Sequence, residues 1–225
     1  MQGHGDMTLG HLSVRAADGR GFWMKRNRIG LGEVLGPDDF VLLDWDGRQI
    51  AGTGTHHSEW PIHSEILRLR PDVNVVVHSH PFHASIFSAM TDPLQPYTLD
   101  ADYFTEIPRH EADVALIMLK SEGEELARSL GESFAVFLAN HGVTFCGTTI
   151  EHAVCVGIFL EKACKVELTA RAANIRHSMP SHAARAKRHQ QIMTPVHWEH
   201  CWQYFCRKLE ARRSGAAGGG DAVFG

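Results

Sequence analysis

The sequence predicts an α/β fold on a largely antiparallel or mixed sheet, and three observations carry that expectation. Short apolar runs of strand length, such as Val75-Val76-Val77, alternate along the chain with segments of helical periodicity. An Asp46-Gly47 pair divides "FVLLDWDGRQIAG" (40 to 52) into a strand, a tight turn and a return strand, because Asp-Gly supplies the positive φ that a hairpin requires. No internal repeat is present, so neither a solenoid nor a propeller is indicated.

Taken in order, the elements after that hairpin are as follows. "IHSEILRLR" (62 to 70) has Ile62, Ile66 and Leu69 at helical spacing and stops at Pro71. "NVVVHSHPFHA" (74 to 84) is a buried strand, followed by a helix near 82 to 90. A second apolar run, "DVALIMLK" (113 to 120), precedes a helical segment rich in Glu, Leu and Ala, and a third, "FAVFLANHG" (134 to 142), ends in Asn-His-Gly. The longest periodic piece runs from 149 to 175, where Thr149 can cap the first turn. A basic, His-containing segment (176 to 191) leads to an amphipathic helix over 197 to 213, and the Gly-rich tail from 214 to 225 is expected to be disordered.

Composition narrows the function classes. At 225 residues and 44% hydrophobic the chain can bury one sizeable core, and a single domain over 1 to 213 is expected. A formal charge of −4 argues against general affinity for nucleic acid or an anionic membrane, which leaves small molecules as partners. With no run approaching the ~20 apolar residues of a membrane helix and no signal-peptide pattern at the start, the expected location is cytoplasmic. Five cysteines without a C-x-x-C read as reduced thiols; Cys155 and Cys164, nine apart on the long helix, point to opposite sides of it.

The chemistry centres on histidine. Side chains two apart on a strand share a face, so His78 and His80 lie side by side and can grip one ion; the alternative is a pair of core imidazoles satisfied by hydrogen bonds. His141, where the third run meets Gly142, can turn into a cleft as a third imidazole. Three imidazoles with open positions are the arrangement of a catalytic rather than a structural site. Glu59, in "THHSEW", is the acidic group placed to act beside them.

Across almost its whole length the sequence resembles the class II aldolase/adducin family. The resemblance is carried by "GHLSVR" (10 to 15), "DDFVLLDWDG" (38 to 47), "SEWPIHSEILRLRPDVNVVVHSHP" (58 to 81), "ANHGV" (139 to 143) and "EHAVCVGIFLEKA". It implies a three-layer fold with a mixed, mostly antiparallel sheet flanked by helices, a fourfold homotetramer, and one divalent metal per subunit (Zn, Mn, Fe or Co). It also implies His78, His80 and His141 as ligands and Glu59 as the acid/base. Relatives carry a helix before the first motif, whereas only nine residues precede Gly10, so either that helix is absent or the start lies upstream.

The departures from the family pattern are informative. The neutral groups that hold a phosphate in the aldolases are replaced here: the motif Asn by His11, the loop by "KRNRIG" (25 to 30), and the Ser pair by His57-Ser58. Lys25, Arg26, Arg28, His57 and Ser58 thus form a candidate edge for a carboxylate substrate, or a solvated basic loop. "GHLSVR…GFWMK" resembles the branch of decarboxylases acting on hydroxylated aromatic and heteroaromatic dicarboxylates. On that reading His11 positions the ring hydroxyl or a carboxylate, and Phe22 and Trp23 either face the ring or belong to the core. The competing readings are a sugar-phosphate or hydroxy-acid aldolase/epimerase, a noncatalytic interaction module, and an iron oxygenase. His63 and Glu65 are expected at the surface or in a subunit contact. Tyr103 is weighed as a residue presented to a neighbouring site, and Tyr204 and Arg207 as residues closing the cleft.

Overall fold

A computed structural model describes residues 3–112 and 114–214 of the protein; the tail expected to be disordered lies, apart from Ser214, outside them. Eight strands form one sheet: β1 (His11–Arg15), β2 (Gly21–Lys25), β3 (Phe40–Asp44), β4 (Gln49–Ala51), β5 (Val75–Ser79), β6 (Arg109–His110), β7 (Ala135–Leu138) and β8 (Gly142–Gly147). Six α-helices accompany them among the described residues: α1 (Trp60–Leu69), α2 (Phe82–Ser88), α3 (Lys120–Leu130), α4 (Ile150–Ala172), α5 (His182–Ile192) and α6 (Pro195–Arg213). The sheet order is β4-β3-β2-β1-β5-β8-β7-β6, antiparallel throughout except for the parallel β6–β7 pair.

This is the α/β architecture expected, and local chemistry explains its turns. Asp44 and Arg48 close the β3–β4 hairpin, the Asp44 carboxylate accepts from the Asp46 and Arg48 amides, and Gly47 sits at φ +82. Strand side chains alternate between two cores. Val76, Val136, Leu138 and Cys146 face α1 and α3, where they meet Ile62, Ile66 and Leu126. Ala135, Phe137, Val143 and Phe145 face α2 and α4, where they meet Phe87, Val156 and Leu160. Each such side chain taken fully out of water contributes roughly 1.5–3 kcal/mol.

α1 begins two residues earlier than periodicity suggests, because Pro61 stands in its first turn, where no amide donor is needed. Cys155 and Cys164 project from opposite sides of α4 and are both buried, since β8 and α2 pack on one side of that helix and α6 on another. Thr149 caps α4 by accepting from the His152 amide.

Two segments to which pattern alone assigns no element take definite form. The second apolar run forms no strand in its described residues: the edge pairing beside β7 is taken by Arg109–His110, and 114–119 is an irregular lead-in to α3 whose Met118 and Leu119 amides bond to Glu122. Within it Ile117 is buried, while Val114, Leu116, Met118 and Leu119 are exposed. The basic segment contains a helix, α5, whose Arg185 and Arg188 lie against the buried Asp102. Among the described residues no helix is long and apolar enough to cross a membrane.

Candidate metal centre

Register places the site. His11 on β1 stands opposite His78 on β5, which in turn stands opposite Thr144 on β8, so the three side chains form a row on the face toward α1. His78 Nδ1 lies 3.2 Å from Thr144 Oγ1. His80 follows the end of β5, and His141 sits in the hairpin between β7 and β8, where Asn140 takes a left-handed φ of +57, a conformation Asn tolerates. Gly142 has a steric reason to be glycine: a Cβ there would meet His80 Cδ2 at 2.5 Å and the Ser79 carbonyl at 2.8 Å.

The three rings converge. Their centroids are 4.8 Å apart for His78–His80, 4.9 Å for His78–His141 and 4.9 Å for His80–His141. The donor atoms of the three lie within 4.8 Å of one another, as do those of an overlapping trio, His11, Glu59 and His78. The Asp6 carboxylate is hydrogen-bonded to His80 Nδ1, and because a carboxylate accepts, that nitrogen carries the hydrogen and Nε2 keeps its lone pair. This Nε2 faces His78 Nε2 at 3.1 Å. Without an ion a hydrogen on His78 Nε2 bridges the two nitrogens; with both lone pairs free, they and the His141 ring converge as a donor set that fits a divalent cation. Burial holds His78 well below the ordinary histidine pKa and, more mildly, His141; both are thereby kept in the neutral form a metal ligand needs.

Glu59 immediately precedes α1 and is buried. Its Oε1 accepts the Ile117 amide at 3.1 Å, and its Oε2 lies 3.5 Å from His11 Nε2. Behind His11 runs a buried polar chain: His11 Nδ1 to His63 Nε2 at 2.7 Å, then His63 Nδ1 to Ser13 Oγ at 2.7 Å. Burial first, and then neighbouring imidazoles, hold His11 and His63 well below the usual histidine range. His63 is thus no surface residue: its exposure is 0%, and Glu65 is buried as well, because α3 covers the side of α1 that the sheet does not. His63 follows Glu59 by four residues, a spacing that puts both on one side of a helix and was the available signal for it. Asp6 and Thr144 had no such signal, since their contacts depend on long-range register and on where the leading segment lies.

The cationic edge divides. Lys25 is fully buried, and its ammonium donates to the Arg26 and Ile29 carbonyls and to His57 Nε2 at 3.1 Å. Burial brings the Lys25 pKa down to about 8, with Arg26 adding to the effect. Burial likewise brings His57 to about 4, helped by Lys25. The His57 and His11 ring centroids are 4.6 Å apart. Arg26 is engaged by Asp39, whereas Arg28 and Ser58 are exposed. Phe22 is a core residue, and Trp23, 38% exposed, lines a separate cleft of about 450 Å³ with Pro37, Phe40 and Thr53. Tyr103 is buried in its own subunit, stacked on Phe159 with centroids 4.0 Å apart and hydrogen-bonded to His197. His83 bonds to Glu161, which also accepts the Ala84 amide at the start of α2. Tyr204 and Arg207 are exposed on α6.

Fold and site together define an α/β protein with a three-imidazole candidate metal centre beside a buried carboxylate. The chain belongs to the class II aldolase and adducin family, whose model, Class II Aldolase and Adducin N-terminal domain, matches residues 1–168. It is 32% identical over 155 residues to decarboxylase NovR of Streptomyces niveus, covering 68% of this chain and 57% of that protein. It is 30% identical over 165 residues to L-fuculose phosphate aldolase of Escherichia coli K12, covering 72% and 74%. An aldolase II superfamily protein from Pseudomonas syringae superposes with a TM-score of 0.82 at 27% identity, covering 94% of this chain and 86% of that one. Matched regions amount to 66%, 57% and 56% of the length of three of the curated relatives.

Proposed function

We propose that the protein is a divalent-metal-dependent carbon–carbon lyase that decarboxylates a hydroxylated aromatic or heteroaromatic carboxylate. The observation that carries this reading is the convergence of His78, His80 and His141 beside the Glu59–His11 pair. Those three histidines would hold the cation, Zn, Mn, Fe or Co, since imidazole accepts each of them. When bound, the cation supplies Lewis acidity toward a substrate hydroxyl oxygen and its neighbouring carboxylate.

The chain's own groups handle the proton. As the ring–carboxylate bond breaks, its electron pair stays with the ring carbon and takes up a proton delivered by Glu59, so carbon dioxide leaves and a hydrogen replaces it. The Ile117 amide fixes the Glu59 carboxylate from one side, leaving its second oxygen toward His11. His11, held from behind by His63, which Ser13 in turn anchors, orients the substrate hydroxyl. Arg28 and Ser58 are the exposed members of the cationic edge and meet the incoming carboxylate, while Lys25 and His57 support that edge from within. NovR, named a decarboxylase, supports the reaction class.

An aldolase or epimerase acting on a sugar phosphate or hydroxy acid is the second reading, favoured by the identity to L-fuculose phosphate aldolase. We further propose a cytoplasmic homotetramer, for which the exposed Val114, Leu116, Met118 and Leu119 supply apolar surface. The deciding experiment is metal analysis followed by a carbon dioxide release screen over ortho-hydroxy aromatic acids, with ketose phosphates assayed for retro-aldol turnover in parallel. Metal bound at one per subunit with carbon dioxide release is expected. Retro-aldol turnover without decarboxylation would replace the first reading by the second.

A further inference from the structure

We infer that Asp6, in the segment ahead of β1, is a positioning residue for the metal centre: its carboxylate fixes the tautomer and ring orientation of His80. The inference rests on the reading of His78, His80 and His141 as ligands. A carboxylate on Nδ1 leaves Nε2 as the only nitrogen of His80 able to donate a lone pair and aims it at the space shared with His78 and His141.

The placement of Asp6 is built rather than incidental. His4 straddles two elements: the Gly157 carbonyl on α4 only accepts, so His4 Nε2 donates to it at 3.0 Å, and His4 Nδ1 then accepts from Ser79 Oγ at 3.0 Å. Ser79 is the residue between the two strand histidines, so the segment is tied to the same stretch of β5 that carries the ligands. Beyond Asp6 the chain turns sharply, with Leu9 donating to the Asp6 carbonyl at 2.9 Å and Met7 held at φ +42. Gly30 packs under that turn, so closely that a Cβ would stand 2.4 Å from the Met7 carbonyl. The segment is therefore docked on both sides of Asp6, and both the Asp6 and His80 side chains are largely screened from solvent.

The test is Co²⁺ binding by the full chain, read by competition with a chromophoric chelator and by the visible d–d spectrum. Asp6→Ala is expected to weaken Co²⁺ binding about 10- to 100-fold and to shift the d–d bands, with the far-ultraviolet dichroism unchanged. Asp6→Asn, whose carbonyl still accepts from Nδ1, is expected to fall between Asp6→Ala and the unaltered protein. His80→Ala is the control and is expected to lose the ion. If His80→Ala loses Co²⁺ while Asp6→Ala binds it within about threefold of the unaltered protein and with the same spectrum, the role of Asp6 is overturned and the ligand assignment stands. If His80→Ala keeps Co²⁺, both fall together.

Discussion

His11 Nδ1 and His63 Nε2 lie 2.7 Å apart, two fully buried imidazoles from β1 and α1 that share a single hydrogen. His63→Ala leaves the His11 nitrogen and the Ser13 hydroxyl without that partner and opens a cavity between sheet and helix. The expected loss is about 2–4 kcal/mol, read from the urea midpoint, with turnover reduced about tenfold or more as His11 loses its fixed orientation. His63→Gln, which can still donate or accept, is expected to recover part of both.

Glu59→Gln is expected to keep the metal and lose turnover by about 10²- to 10⁴-fold, because the amide oxygen can still accept from the Ile117 amide while the side chain no longer carries a transferable proton. Metal content by atomic absorption and turnover on the same preparation check it.

Gly142→Ala places a methyl group against the His80 ring. The ring is expected to move, weakening Zn²⁺ binding in a chelator titration and costing about 1–3 kcal/mol of stability.

Lys25 gives a pH signature. Its folded pKa of about 8 lies below the ordinary lysine value of 10.5, so between those pH values the unfolded chain binds more protons than the folded one. The Lys25 contribution to stability therefore rises with pH across that window and is flat below it. Denaturant unfolding at pH 7.5 and at about pH 10 is expected to show a smaller rise for Lys25→Met than for the unaltered protein.

On the proposed homotetramer, replacing the exposed Met118 and Leu119 by Glu is expected to lower the mass found by light scattering to that of a smaller species, since an unpaired charge is costly to bury in a subunit contact.

The parts of this molecule legible in sequence are those governed by local pattern. The 40–52 hairpin follows from Asp-Gly, the histidine pair from period-two alternation, and the α4 start from Thr149. His141 and Glu59 were legible as candidates because a glycine follows the first and a short turn adjoins the second. What stayed hidden depends on packing between distant segments. His63 reads as a surface residue until its ring is found against His11 and Ser13 of β1, the 114–119 run reads as a second strand-length apolar stretch until its sheet position is taken by Arg109–His110, and Asp6 reads as part of a loose start until it is found 74 positions from its partner. Lys25 reads as a cation offered to substrate, yet backbone carbonyls already occupy it.

Both rims of the sheet are brief: β4 has three residues, and β6 has two and runs parallel to its neighbour. Such stubs offer almost no ladder for another chain to extend, which guards the protein against runaway strand-to-strand polymerisation. The surface left for association between copies is then that of loops and helices rather than of strand edges.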